Sequence, residues 1–127
     1  MKIVESNLQL LNVDYKILYG TKEEGNAYFK ETYDIKEPMC IKDGSTINLT
    51  AKETGEVNLF IWLSPHKDKA MMAGLIAHEA THLAKDIIIN AGLDYDFAKN
   101  DELLAIVIGY IVGWVHLSIS KIQKKRK

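Results

Sequence analysis

Between Asn12 and Tyr19 apolar and polar residues alternate, with Val13, Tyr15 and Ile17 set against Asp14 and Lys16, which predicts a half-buried strand closed by Gly20. Thr21 then stands three positions before Glu24, the pairing of a capping box, and predicts a helix with a thin apolar face of Ala27, Tyr28 and Ile35. Gly25 and Asn26 weaken that helix. Pro38 ends the region. Met39–Lys42 and Ser45–Leu49 flank Asp43-Gly44 and predict a tight hairpin with a type I′ turn. Thr54-Gly55 marks a further turn. Glu56 to Leu63 predicts a strand with Val57, Leu59, Ile61 and Leu63 toward the core; Phe60 and Trp62 pack under a helix if the strand is an ordinary one.

Two long helical patterns follow. Ser64-Pro65 offers an N-cap and a proline at the first helical position, no proline interrupts the chain from Ala70 to Ile89, and Gly92 supplies a stop. The last helix runs from Asn100 to about Gln123, and between Leu103 and Ile119 its one ionisable side chain other than tyrosine is His116. An apolar run of this length also suits a short membrane span with a basic cytoplasmic end. Gly109, Gly113, His116 and Ser118 dilute the run, and no other segment could complete a core, so a buried helix is the favoured expectation. Glu102, Ala105, Gly109 and Gly113 fall near one face, and Ala70, Ala73, Gly74, Ala77, Ala80 and Ala84 give the preceding helix a small-residue set. The two lines are expected to face each other at close range.

The chemistry is concentrated in Ala77-His78-Glu79-Ala80-Thr81-His82, which contains H-E-x-x-H in the middle of a predicted helix. Residues four apart share a helix face, so His78 and His82 can turn their ring nitrogens toward one metal ion, while Glu79 stands beside it as a general base for a bound water. Zinc is the expected ion, held by two imidazoles and a carboxylate with a fourth position open. Glu102, twenty positions beyond His82 at the start of the last helix, is the best candidate for that carboxylate.

H-E-x-x-H followed by a helix-borne glutamate resembles the glutamate-zincin metallopeptidases, and Glu102-x-x-Ala105-x-x-x-Gly109-Tyr110 is similar to the helix that follows the motif in short metallopeptidase-like proteins of phages and mobile elements. The resemblance covers Leu59 to about Val115. It implies a minimal zincin-like domain in which His78, His82 and Glu102 hold Zn2+ and Glu79 is the catalytic base. It also implies that the strand near 56–63 is an exposed edge pairing with an extended substrate. Ile106 stands where many members carry a ligand-orienting aspartate, which leaves Asp86, Asp96 and Asp101 as candidates. Tyr95 is the candidate to stabilise an oxyanion.

A chain of 127 residues supports one domain, 1–127, of α+β class: a small N-terminal mixed or antiparallel sheet packed on the H-E-x-x-H helix and a ligand-bearing C-terminal helix. A net charge of −1 argues against a nucleic-acid partner. Lys121, Lys124, Lys125, Arg126 and Lys127 read as a solvated helix end. A single cysteine, Cys40, and an amino end without a signal pattern favour the cytoplasm. His66, in the first turn of the motif helix about 18 Å along it from His78, and His116, about 21 Å beyond Glu102, are expected to lie outside the site. The expected activity is zinc-dependent hydrolysis of a protein or peptide, with no membrane partner and with no substrate-binding residue or oligomeric state legible. The alternatives are a zinc-stabilised structural or binding protein and a small membrane-anchored protein.

Overall fold

The computed structural model describes residues 1–93 and 97–125. It contains β1 (Lys2–Leu8), β2 (Val13–Tyr19), α1 (Lys22–Tyr33), β3 (Gly44–Thr50), β4 (Val57–Leu63), α2 (Lys69–Asn90) and α3 (Phe97–Lys125). The strands form one mixed sheet in the order β1-β2-β4-β3. The β1–β2 and β3–β4 pairs are antiparallel, while β2 and β4 run parallel with Lys16 opposite Phe60 and Tyr19 opposite Leu63. The α+β class and the mixed sheet are as the sequence predicts.

Alternation sorts the strand residues into two layers. Tyr15, Ile17, Tyr19, Leu59, Ile61 and Leu63 pack on one face with Ile76, Leu83 and Ile87 of α2 and Val107, Ile111 and Val115 of α3. On the other face Leu18, Ile47, Phe60 and Trp62 pack with Phe29 of α1 and with Cys40. The Phe29 and Phe60 rings meet edge to face at 5.0 Å, a geometry that adds about 0.5–1.5 kcal/mol to the burial itself. Phe60 and Trp62 therefore do pack under a helix. The capping box of α1 is complete: Thr21 Oγ1 accepts from Glu24 N–H at 3.1 Å, and Thr21 N–H donates to Glu24 Oε1 at 2.9 Å.

Several expectations fail for local reasons. Asp43-Gly44 closes no hairpin, because residues 39–42 are not a strand. The backbone groups of Cys40 are bonded by the Asn26 side chain at 2.8 and 3.3 Å, and those of Ile41 by Ser45 Oγ at 3.1 and 3.3 Å, so they have no ladder to join. β3 instead forms a hairpin with β4, turning at Thr54 and at Gly55, whose φ of 73° suits glycine. The strand near 56–63 is not an edge either: β4 lies between β2 and β3, and β3 is the edge beside α2.

The N-cap of α2 is Asp68, whose carboxylate accepts from Ala70 and Met71 N–H, rather than Ser64. His66 consequently precedes the helix and is not exposed; its Nε2 sits 3.3 Å from Asp43 Oδ1. Gly92 does stop α2, at a φ of 78°, with Gly92 N–H bonding Ile89 O and Leu93 N–H bonding Ile88 O in a Schellman closure.

The small-residue faces do not meet. α3 turns Leu104, Val107, Ile111, Val115 and Ile119 inward, whereas a Cβ placed on Gly109, Gly113 or Gly74 would meet nothing within 4 Å. Burying a Val, Ile or Leu side chain is worth about 1.5–3 kcal/mol and burying a glycine adds no side chain, so the bulky ridge sets the rotation of α3.

Candidate metal centre

His78 and His82 lie one turn apart on α2, their ring centroids 4.9 Å apart and their planes crossing at 73°. The His78 side chain is 67% exposed, so solvent and solutes reach it freely. Glu79, between them in sequence, turns the other way and is only 6% exposed. Its placement follows from helix geometry, since neighbouring residues diverge by about 100° around the axis. Its carboxylate remains close to the imidazoles, with Oε2 at 3.8 Å from His78 Nε2, too long for a hydrogen bond.

The floor beneath Glu79 is β3. Thr46 Oγ1 lies 2.9 Å from the Glu79 carbonyl and 3.1 Å from Glu79 Oε1. A hydroxyl carries one proton and two lone pairs. It can donate to an ionised carboxylate, or give its proton to the carbonyl and accept from a protonated carboxyl. A carboxyl that takes up and releases a proton thus keeps a partner in both forms.

Along the edge of β3 runs an open groove of about 430 Å³, bordered by Gly44, Thr46, His78, Glu79, His82 and Asp86, with Lys42 and Lys85 at its rim. Asp86 is one turn beyond His82. Burial raises its pKa above the ordinary 3.8, and the charges of Lys85 and His82 oppose that rise. Of Asp86 and Asp101, the two orienting candidates among the described residues, Asp86 is the one that lines the groove with His82. Asp101 instead accepts from Glu102 N–H at 2.9 Å. Tyr95 and Asp96 lie outside the described residues.

Glu102 is exposed near the start of α3. Among the described residues no three His, Cys, Asp or Glu side chains converge closely enough to hold a metal ion, so Glu102 does not join His78 and His82 in this arrangement. The donor set of α2 alone fits two ligand positions of a zinc site and leaves a third to be supplied. His116 is exposed on α3, beyond Ile111 and Val115. Sequence reading missed Thr46, Gly44 and the β3 edge; a polar residue alternating with Ile47 in a predicted strand was the available signal. Compared with protein-family models, curated proteins and solved structures, the chain matches none.

Proposed function

We propose that the chain is a zinc-dependent peptidase with Glu79 as general base and His78 and His82 as metal ligands. One observation carries this reading: two solvent-facing imidazoles share a helix face while the intervening carboxylate is buried against a neighbouring strand and bonded there. A helix that bore these residues only for solubility would leave Glu79 outside with the histidines. The motif resemblance makes Glu102 the candidate for the third ligand, which α3 would have to bring to the pair.

Zinc, when bound, polarises the scissile carbonyl and lowers the pKa of its water to about 7. Glu79 would take the proton from the attacking water and deliver it to the leaving amine. β3 is an edge strand whose Gly44, Ser45 and Thr46 line the groove, so an extended peptide would add to the sheet there, its backbone hydrogen bonds aligning the scissile bond with Glu79. A groove this open suits an unfolded or flexible segment better than a folded surface.

The test is zinc content of wild type and Glu79→Gln beside hydrolysis of labelled, denatured casein. One zinc per chain in both proteins, with hydrolysis in wild type alone, supports the reading; no zinc in wild type refutes it.

α3 favours a second reading, association with a membrane. Between Asp101 and Lys125 it is long and apolar enough to cross a bilayer, its most apolar 18 residues having a mean hydropathy of 2.0 with 33% of them buried. Ile106, Tyr110, Trp114 and Leu117 are exposed along it, and Lys121, Lys124 and Lys125 follow. Flotation with vesicles containing anionic lipid separates the two: co-flotation of the zinc-free protein favours the membrane, and its absence removes that reading.

A further inference from the structure

Glu79 sits in surroundings built by a different element from the one that carries it. Gly44 and Thr46, two positions apart, lie on the face of β3 that meets α2, while Ile47 packs into the opposite layer. A Cβ on Gly44 would come within 3.1 Å of Glu79 Cγ and 2.8 Å of Leu75 Cδ1, so any larger residue at position 44 would push both side chains from where they now lie. Thr46 Oγ1 then reaches both Glu79 O and Glu79 Oε1, at 2.9 and 3.1 Å. The carbonyl, lying in mid-helix, already has an ordinary donor in the N–H four residues on. The contact with Oε1 is the one that gives a buried carboxylate a partner it would otherwise lack among the described side chains, His78 being 3.8 Å away.

We propose that Gly44 and Thr46 form a seat that holds the Glu79 carboxylate in one conformation, with Thr46 a positioning residue for the general base. The seat rests on the peptidase reading only for its purpose; its existence is testable without substrate or metal. Gly44 makes room for the Cγ, and the hydroxyl of Thr46 fixes the oxygen at the far end. Because both residues belong to the edge strand that borders the groove, a peptide added to that strand would be aligned by the same element that aligns the base.

The experiment uses the full chain, metal-free, with glutamate carboxyl carbons labelled by 13C and the Glu79 signal assigned by its loss in Glu79→Gln. Thr46→Val, which removes the hydroxyl at constant shape, is expected to move the Glu79 resonance by more than its linewidth. Thr46→Ser is expected to return it to the wild-type position. With zinc added and labelled casein as probe, Thr46→Val is expected to lower kcat by roughly tenfold or more with KM unchanged, and Thr46→Ser to recover most of it. A Glu79 signal that is the same in Thr46→Val and wild type overturns the proposal, as does a Thr46→Ser protein that behaves like Thr46→Val. Should Thr46→Val fail to fold, Gly44→Ala replaces it: the resonance is expected to move as the Cγ is displaced, and an unmoved signal overturns the seat. Zinc-loaded wild type that leaves casein intact, together with a signal that moves in Thr46→Val, defeats the peptidase reading and leaves the seat standing.

Discussion

Glu79 and Glu102 are assigned to one centre by the same motif, and the fold gives them opposite surroundings. Glu79 is buried, bonded through its carboxylate by a residue 33 positions away, and set beside two imidazoles. Glu102 is exposed on the opening turns of α3, apart from that pair. The difference lies in what fixes each position. His78, Glu79 and His82 are arranged by the internal geometry of one helix, which spacing alone dictates. Glu102 depends on how a second helix is rotated against the first, and bulky aliphatic residues, not the candidate ligand, decide that rotation.

The largest effects are expected where the helix geometry is self-sufficient. His78→Ala and His82→Ala should each abolish stoichiometric zinc in elemental analysis, while Glu79→Gln should retain the metal and lower casein hydrolysis by about 10²–10⁴-fold, the usual share of a general base. Retention of zinc by both histidine variants would break the comparison at its stronger side. Glu102→Ala should also lose zinc if α3 supplies the third ligand. A variant that binds zinc as wild type does would restrict the metal site to α2 and its surroundings.

The legible part of the fold follows the same division. Where one element carried its own signal, the sequence was readable: the alternation of 57–63, the capping box at Thr21, the glycine stop at Gly92. Contacts between elements were hidden. Gly25 and Asn26 look like flaws in α1, yet they are docking residues. Asn26 bonds the Cys40 backbone, and a Cβ on Gly25 would fall 2.5 Å from Cys40 Sγ. That same embrace removes residues 39–42 from strand pairing, so the Asp43-Gly44 turn signal is overridden by side chains distant in sequence. β1 was not legible because an edge strand with Ile3 exposed has little alternation to show. Thr46 could be seen only as a strand threonine until α2 was laid on β3.

Asp86 sharpens the stronger half of the comparison by a smaller effect. Burial first, against the opposing charges of Lys85 and His82, raises its folded pKa above the ordinary 3.8. A carboxyl shifted this way binds its proton more tightly when folded, so its ionised form opposes folding at pH 7 and ceases to do so as pH falls below 3.8. Asp86→Asn is expected to melt at a higher temperature than wild type at pH 7, with the gap closing near pH 3.5 in metal-free protein. If Asp86 also orients His82, the same variant should bind zinc about 10–100-fold more weakly. Stabilisation without loss of affinity would make Asp86 a bystander.

The smallest expected effect tests the rotation of α3 directly. Gly109 and Gly113 face open space, and a helix-interior glycine on a solvent face costs about 0.8–1 kcal/mol relative to alanine. Gly109→Ala and Gly113→Ala should therefore each stabilise the chain by up to that amount, measured by urea unfolding with an unchanged m-value. The opposite sign would mean that these glycines meet another helix at close range, because an added methyl in a tight contact costs about 1–3 kcal/mol. That outcome would turn α3 by roughly half a revolution and carry Glu102, which lies on the glycine side, toward the face that α2 presents. The sign of a change near 1 kcal/mol at Gly109 thus discriminates between a centre confined to α2 and β3 and one completed by α3.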